Sequence, residues 1–225
     1  MKTKMIALGA CALAMVACNT QQPKQAAAIN ANTTDDQKIA YMLGAQFGGQ
    51  NFTLLPLQVG EHLNQDFVIQ GFNDNLKATN DTAFKLQMEN DSLRAIGAKY
   101  NMMARNRYES TRPDSATNAT FNGDQAKYRA YMDSVMKTLP IVPEEPVTNA
   151  PVKLGANATD NQKFSYLIGV QFYNQFHNIG SQFQTEFDPE YFILGVKNAA
   201  QKGRDTAFVM PLPDDTLKAV GERYN

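Results

Sequence analysis

The feature that most constrains the fold of this chain is an internal duplication. The stretch TDDQKIAYMLGAQFGGQ at 34–50 aligns with TDNQKFSYLIGVQFYNQ at 159–175, and after a one-residue deletion 66–101 aligns with 190–225. In these two blocks 21 of 53 positions are identical. The chain is therefore predicted to contain two copies of one structural unit, which we call repeat 1 and repeat 2.

Each repeat is predicted to form three helices. The first begins after Thr34 in repeat 1 and after Thr159 in repeat 2, because threonine followed by aspartate is a typical helix start. Asp188 and Pro189 mark the start of the second helix in repeat 2. The third helix carries a narrow apolar seam suited to packing along another helix. Its residues are Leu93, Ile96, Tyr100 and Met103 in repeat 1, and Leu217, Val220 and Tyr224 in repeat 2.

The predicted fold class is all-α, with two tandem three-helix modules joined by a partly helical, proline-rich linker. In the linker, AKYRAYMDSVMKTL has a helical apolar face, the stretch before it has the composition of a loop, and PIVPEEPVTNAP after it favours extended chain. The predicted boundaries are 1–17 for a signal peptide, 18–33 for a lipidated cysteine and disordered tether, 34–111 for module 1, 112–158 for the linker with one helix near 124–139, and 159–225 for module 2 with a shortened third helix.

The amino-terminal segment has the features of a bacterial export signal. Lys2 and Lys4 precede an apolar run that is too short to span a bilayer permanently. The run ends in AMVAC, and small residues before a cysteine resemble the lipobox of bacterial lipoproteins, which predicts cleavage before Cys18 and its lipidation. The alternatives are cleavage before Cys11, or an ordinary signal peptide that leaves Cys18 unexplained.

Lipidation at Cys18 has consequences for location and folding. The cleaved chain would hold no second cysteine, so its fold would depend on an apolar core and not on a disulfide. Asn19 follows without an acidic run, which resembles lipoproteins sorted to the outer membrane and facing the periplasm. The lipid anchor makes the membrane a predicted partner. The formal charge of the whole chain is −1, and we expect no nucleic-acid partner.

Short motifs in both repeats resemble a known family. YMLGAQFG and YLIGVQF contain Tyr-x-x-Gly, FVIQGFNDNL contains Gly71 and Asp74 in Gly-x-x-Asp, and FILGVKNAA has Asn198 in place of that aspartate. With the long helix that follows, these motifs resemble the amino-terminal domain of bacterial FKBP-type peptidyl-prolyl isomerases, the group that includes the macrophage infectivity potentiator. The resemblance implies a helical domain that dimerises by intertwining its first two helices and holds unfolded clients.

The same resemblance implies a catalytic domain after the third helix, and its YTG and FDS signatures do not occur in this sequence. We therefore expect no isomerase activity, no catalytic residue, no metal and no cofactor. His62 and His177 do not align with each other, so a structural or solvent-facing role is expected for both. The Met and Phe stripes are expected to form core, with a client-binding surface as the alternative.

One short pattern occurs six times: aspartate, then Ser or Thr, then a small or apolar residue. It resembles an O-glycosylation sequon of some gram-negative periplasmic proteins, and the alternative is helix capping. An intact mass of native material that shows lipid without sugar would exclude glycosylation. The six hydroxyl residues are Thr82, Ser92, Ser115, Ser134, Thr206 and Thr216.

The two modules are predicted to pair with each other inside one chain, with a homodimer in which each module pairs with its own kind as the alternative. Pairing would bring Ile39, Leu43, Gly44 and Phe47 against Phe164, Ile168, Gly169 and Phe172. The predicted function is self-association and chaperone-like holding of unfolded or partly folded envelope proteins. The alternatives are an accessory or truncated peptidyl-prolyl isomerase, and a structural surface lipoprotein without clients.

Overall fold

The computed structural model describes residues 26–213 and, beyond them, residues 215, 216, 219 and 222. It confirms the all-α prediction, because the described residues hold no strand beyond one isolated bridge between Glu61 and Val142. Within 26–213 there are eight α-helices and one π-helical segment. They are α1 Asp35–Gly49, the π segment Gln50–Leu54, α2 Leu55–Val59, α3 Gln65–Asn80, α4 Asn90–Ser110, α5 Ser115–Thr120, α6 Gln125–Thr138, α7 Asp160–Phe183 and α8 Pro189–Arg204.

Both repeats begin with the same helix cap, as the sequence predicted. The backbone N–H of Gln37 donates to the Thr34 hydroxyl at 3.3 Å, and the Gln37 side chain accepts from the backbone N–H of Thr34 at 3.0 Å. Thr159 and Gln162 make the same pair of hydrogen bonds at 3.2 and 3.1 Å. Each capping box satisfies two backbone donors that the first helical turn leaves without an intrahelical partner.

The one-residue difference between the repeats is accommodated by a π-helical turn. Helical backbone covers 35–59 in repeat 1 and 160–183 in repeat 2, which is one residue fewer. The repeats align without a gap up to Gln50 and again from Phe52, so the additional residue is Asn51, inside the π segment. Because a π turn holds more residues than an α turn, the residues on both sides keep the orientation of their counterparts in repeat 2.

The two helical runs also end in the same way. Gly60 after α2 and Gln184 after α7 occupy equivalent positions, and both have left-handed backbone, with φ of 83° and 52°. The next helices then begin at equivalent N-caps, Asn64 for α3 and Asp188 for α8. The Asp188 cap was predicted and is confirmed. The two repeats therefore share one backbone path from the first cap to the end of the second helix.

The long helices of the two repeats pack by exchange. The first helix of each repeat makes its most extensive contacts with the second helix of the other repeat, so that α1 lies on α8 and α7 lies on α3. Helix α4 crosses α7 and also runs along α2. The rings of Phe72 and Phe192 stack in the core with centroids 4.9 Å apart, and Phe176 packs on both. Both repeats thus contribute to a single core.

The first half of the linker contains a helix that was not predicted. Helix α5 lies where composition favoured a loop, because the Asp114 side chain caps it by accepting a hydrogen bond from the backbone N–H of Thr117 at 2.7 Å. Helix α6 lies close to the range predicted for a linker helix. Because the residues of this segment are polar and small, its composition did not indicate the short capped helix.

The second half of the linker, residues 140–154, crosses both repeats, and we call it the strap. The buried carboxylate of Asp66 on α3 accepts hydrogen bonds from the backbone N–H and the hydroxyl of Thr148, both at 2.7 Å, and from the next backbone N–H at 3.0 Å. Glu144 pairs with Arg204 on α8 at 2.9 Å. The strap is therefore attached to helices of both repeats.

Several predictions concern residues outside the described part of the chain. These are the signal peptide at 1–17, the lipidated Cys18 with the tether up to residue 25, and the repeat 2 seam of Leu217, Val220 and Tyr224. In the part that is described, no helix combines the length and the apolar composition that crossing a membrane requires.

Candidate functional site

The residues predicted for the module interface lie on α1 and α7, the first helices of the two repeats. Phe47 and Phe172 contact each other, with ring centroids 5.6 Å apart. The helix partners differ from a direct meeting of the two first helices, because each first helix lies mainly on the second helix of the other repeat. All of the set except the half-buried Phe47 are buried: Ile39, Leu43, Gly44, Phe164, Ile168, Gly169 and Phe172.

Helix α1 crosses α8 at a pair of glycines. A Cβ atom on Gly44 would lie 1.9 Å from the carbonyl oxygen of Phe192, and one on Gly195 would lie 2.1 Å from the carbonyl oxygen of Tyr41. No real Cβ tolerates such distances, so the two helix backbones are in direct contact. The cost of glycine inside a helix, about 1 kcal/mol relative to alanine, is therefore accepted here for close approach.

Helix α3 crosses α7 at the equivalent pair. A Cβ on Gly169 would lie 1.9 Å from the carbonyl oxygen of Val68, and one on Gly71 would lie 2.1 Å from that of Tyr166. Gly44 and Gly169 are aligned in the repeats, as are Gly71 and Gly195. The two crossings are thus equivalent, because exchanging each residue for its aligned counterpart in the other repeat converts one crossing into the other.

A hydrogen bond beside each crossing joins the repeats through aligned residues. The Tyr166 hydroxyl donates to the Asp74 carboxylate at 3.1 Å. At the other crossing, the Asn198 amide donates to the Tyr41 hydroxyl at 3.2 Å. The asparagine in repeat 2, which departs from the family motif, therefore keeps the same partner with the direction of donation reversed.

Asp74 is the centre of a small buried polar network. Besides the Tyr166 hydroxyl, its carboxylate accepts hydrogen bonds from the side-chain amides of Gln70 at 2.8 Å and Gln87 at 2.7 Å. Burial raises the pKa of Tyr41 and of Tyr166 above the usual value for tyrosine. Both phenols therefore stay neutral at physiological pH and act as hydrogen-bonding groups.

Six interface residues were absent from the predicted set: Tyr41, Tyr166, Gly71, Gly195, Asp74 and Asn198. The sequence did contain a signal for them, because Gly71 and Gly195 are identical in the alignment and Asp74 belongs to the family motif. Periodicity identified the apolar face of each helix without identifying which helix it meets. The family resemblance implied that the first two helices intertwine, and the fold adds the specific pairing of α1 with α8 and of α7 with α3.

The histidines lie apart from the crossings. The backbone N–H of His62 donates to the carbonyl of Val142 at 3.2 Å, and the ring of His177 stacks on Tyr173 with centroids 5.8 Å apart. Among the described residues, no cluster of three or more His, Cys, Asp or Glu side chains has the geometry to hold a metal ion. Every buried side-chain N or O in this part of the chain has a hydrogen-bond partner. The crossings are thus suited to holding helices together.

The six hydroxyl residues of the aspartate pattern occupy different environments. Five are exposed and Thr216 is half-buried. In two cases the aspartate has a local structural role, because Asp81 and Asp205 accept from the backbone N–H two residues later at 2.9 Å. Asp114 caps α5, whereas Asp133 lies inside α6. Glycosylation at these positions stays a prediction.

Comparison with known proteins concerns mainly repeat 1. Residues 36–137 match the family model described as the domain amino terminal to FKBP-type peptidyl-prolyl isomerase. The match runs from α1 into α6, and it supports an FKBP-type amino-terminal domain in this part of the chain. No curated protein and no solved structure matched the chain.

Proposed function

We propose that this chain is a periplasmic lipoprotein built from two FKBP-type amino-terminal modules, which pair within one chain and hold partly folded envelope proteins. The observation that carries the proposal is the reciprocal crossing of α1 on α8 and of α3 on α7. The Tyr-x-x-Gly residues of each repeat meet the Gly-containing motif of the other, so repeat 2 uses the motif in the same way as the matched repeat 1.

A holding role requires no reaction chemistry at the crossings. The glycine contacts and the tyrosine bonds are buried and internally satisfied, which suits a scaffold that presents its outer surface to clients. The exposed apolar side chains on that surface include Leu54, Tyr108 and Phe183. Such residues are candidates for weak, adaptable contact with unfolded chains.

A refolding assay tests the holding function. The purified chain without its leader is mixed with a chemically denatured model protein, and light scattering follows aggregation during dilution. A parallel assay follows cis-to-trans isomerisation of a prolyl peptide. Suppressed aggregation without isomerisation supports the proposal. Measurable isomerisation would favour the accessory isomerase, and inactivity in both assays would favour a structural lipoprotein without clients.

The lipid anchor and the location follow from the leader and have their own test. The protein is expressed with its full leader in a gram-negative host, and its mass is measured after detergent extraction. A mass that corresponds to acylated Cys18, found in the outer-membrane fraction, is expected. The Cys18→Ser variant should lose acylation, and an unmodified Cys18 in the native protein would contradict the lipoprotein assignment.

A further inference from the structure

An apolar groove lies outside the helix crossings, between α2, the second half of α4, and α6. Its volume is about 530 Å³. Leu54 and Tyr108 stand at its edge with 52% and 45% of their surface exposed. The apolar side chains that line it are Leu54, Leu57, Ala104, Tyr108, Met132 and Met136. Two methionines give the lining the adaptable shape that suits contact with varied partners.

Comparison of the repeats shows that the fold does not require the exposed leucine at the groove edge. Leu54 corresponds to Asn178 in repeat 2, where the helix has the same path and the position is also exposed. Leu57 corresponds to Ser181, but Leu57 is half-buried beneath α4 and α6, so packing accounts for its side chain. Packing therefore does not fix the residue type at Leu54, and its exposed side chain is available to a partner.

The groove lies in the basic part of an acidic chain. Residues 90–138, from α4 to α6, contain eight Lys or Arg and five Asp or Glu, a net charge of +3 in a chain whose total is −1. Asp133 lines the groove as its one acidic residue. Arg105 follows Ala104 on α4, Arg129 precedes Met132 by one turn on α6, and the basic Lys137 also lines the groove. All three are exposed. A partner with apolar and acidic side chains would be complementary to this surface.

We propose that this groove binds acidic amphipathic segments of client proteins. Apolar side chains of the segment enter between Leu57 and Met132, and its carboxylates face Arg105, Arg129 and Lys137. The inference rests on the proposed holding function and names the class of segment that is held. The concave shape favours a peptide over a lipid surface, because only a protruding side chain reaches the groove floor.

The first experiment tests the groove edge with matched exposed positions. A fluorescently labelled peptide with leucines at helical spacing and glutamates between them is titrated with the chain, and anisotropy is measured. Leu54→Asn, which installs the repeat 2 residue, should weaken binding about fivefold, because half of a leucine side chain loses its burial. Met102→Gln is the control, since Met102 is 63% exposed on α4 and does not line the groove.

The second experiment tests the charge preference. The wild-type chain should bind the glutamate peptide more tightly than a lysine peptide with the same leucines. Reversal of two charges in Arg105→Glu/Arg129→Glu should lower that preference about tenfold, since each exposed pair contributes up to about 1 kcal/mol. Arg94→Glu is the control, because the Arg94 side chain is 82% exposed at the start of α4, away from the groove.

The outcomes separate the groove from the holding function. Equal binding of both peptides, or equal effects of Leu54→Asn and Met102→Gln, would overturn the inference. Binding of anionic phospholipid vesicles without binding of the peptide would overturn it in favour of a membrane surface. Leu54→Asn could weaken binding of the peptide and yet leave the suppression of aggregation intact. In that case the groove is not the surface that holds clients, so the inference fails while the proposed holding function stands. If the chain binds the peptide but does not suppress aggregation, the result would support peptide binding in the groove and contradict the proposed holding function.

Discussion

At the residue scale, the contact between the repeats depends on four glycines and two tyrosines. The glycines allow helix backbones to touch, and the tyrosines join the repeats through Asp74 and Asn198. The glycine contacts and the tyrosine hydrogen bond each occur at both helix crossings. The Asp74 carboxylate accepts a hydrogen bond at a position where the Asn198 amide donates one. Both are compatible with a tyrosine partner, because a tyrosine hydroxyl can donate and accept. The geometry is thus shared by the repeats although the residue type is not.

Replacement of a crossing glycine should be strongly destabilising. Gly44→Ala places a methyl group 1.9 Å from a backbone oxygen that cannot rotate away, so we expect a loss of about 3 kcal/mol in the free energy of unfolding. Gly49→Ala is the matched control, because it lies in the same helix with nothing within 4 Å of its Cβ position. The control should gain up to about 1 kcal/mol from helix propensity. Urea unfolding measures both, and equal effects would contradict direct backbone contact.

The buried tyrosines should limit stability at high pH. Burial raises the pKa of Tyr41, Tyr100 and Tyr166 above the ordinary value of 10.0. Above that pH the unfolded chain loses these protons and the folded chain keeps them, so stability is intact below pH 10 and falls as pH rises toward the folded-state values. In an alkaline titration, phenolate absorbance of these three should appear together with loss of helical circular dichroism. Their ionisation in a fully folded chain would contradict their burial.

At the element scale, the π segment explains how the repeats differ in length and keep the same packing. The extra residue, Asn51, lies in that segment, and its side-chain amide donates to the carbonyl of Phe47 at 2.9 Å. The buried rings of Phe52 in repeat 1 and Phe176 in repeat 2, which follow this segment, occupy equivalent positions. A π turn therefore absorbs an insertion that would otherwise rotate α2 relative to α1.

Deletion of Asn51 should be tolerated for this reason. Without it the π turn becomes an α turn, as in α7, and the downstream helix keeps its orientation, so the change in melting temperature should be small. Deletion of the exposed Gln171 in α7 is the control, because it removes a residue from regular helix and rotates everything after it by about 100°. Circular dichroism melts compare them. A collapse of the Asn51 deletion comparable to the control would refute the role given to the π segment.

The strap should depend on Asp66. Removal of this carboxylate in Asp66→Ala leaves three donors of the strap without their partner, which should cost about 1–3 kcal/mol. The strap should then open, and trypsin should cut after the exposed Lys153 faster than in the wild type. Asp91→Ala, at a side chain that is 96% exposed, should leave the cleavage rate unchanged. Equal rates in both variants would show that Asp66 does not hold the strap.

Much of this architecture was accessible from the sequence, and the remainder depends on long-range contacts. The duplication predicted two equivalent units, and capping patterns at Thr34, Thr159 and Asp188 predicted three helix starts correctly. Helix α5 was missed because its stability comes from one Asp114 cap and not from an apolar face. The attachment of the strap was also missed, since proline-rich composition indicates extended backbone and carries no information on the surface it contacts.

At the scale of the whole molecule, one core is shared by two halves of one chain. Four helices from two repeats interlock, and the strap connects to both halves through Asp66 on α3 and Arg204 on α8. Neither half would bury its own apolar faces if it were separated from the other. We therefore expect the repeats to fold as one unit, whereas the sequence alone suggested two modules joined by a long linker.

The last prediction concerns the oligomeric state that follows from this arrangement. Tethering gives the second repeat an effective concentration of roughly millimolar order for a flexible linker, so internal pairing should outcompete association of chains at low micromolar concentration. Light scattering of the soluble chain that begins after Cys18 should therefore report the mass of one chain, somewhat below the 24.9 kDa of the full sequence. The mass should not change on dilution. A mass of twice that value that persists on dilution would show that the repeats pair between chains.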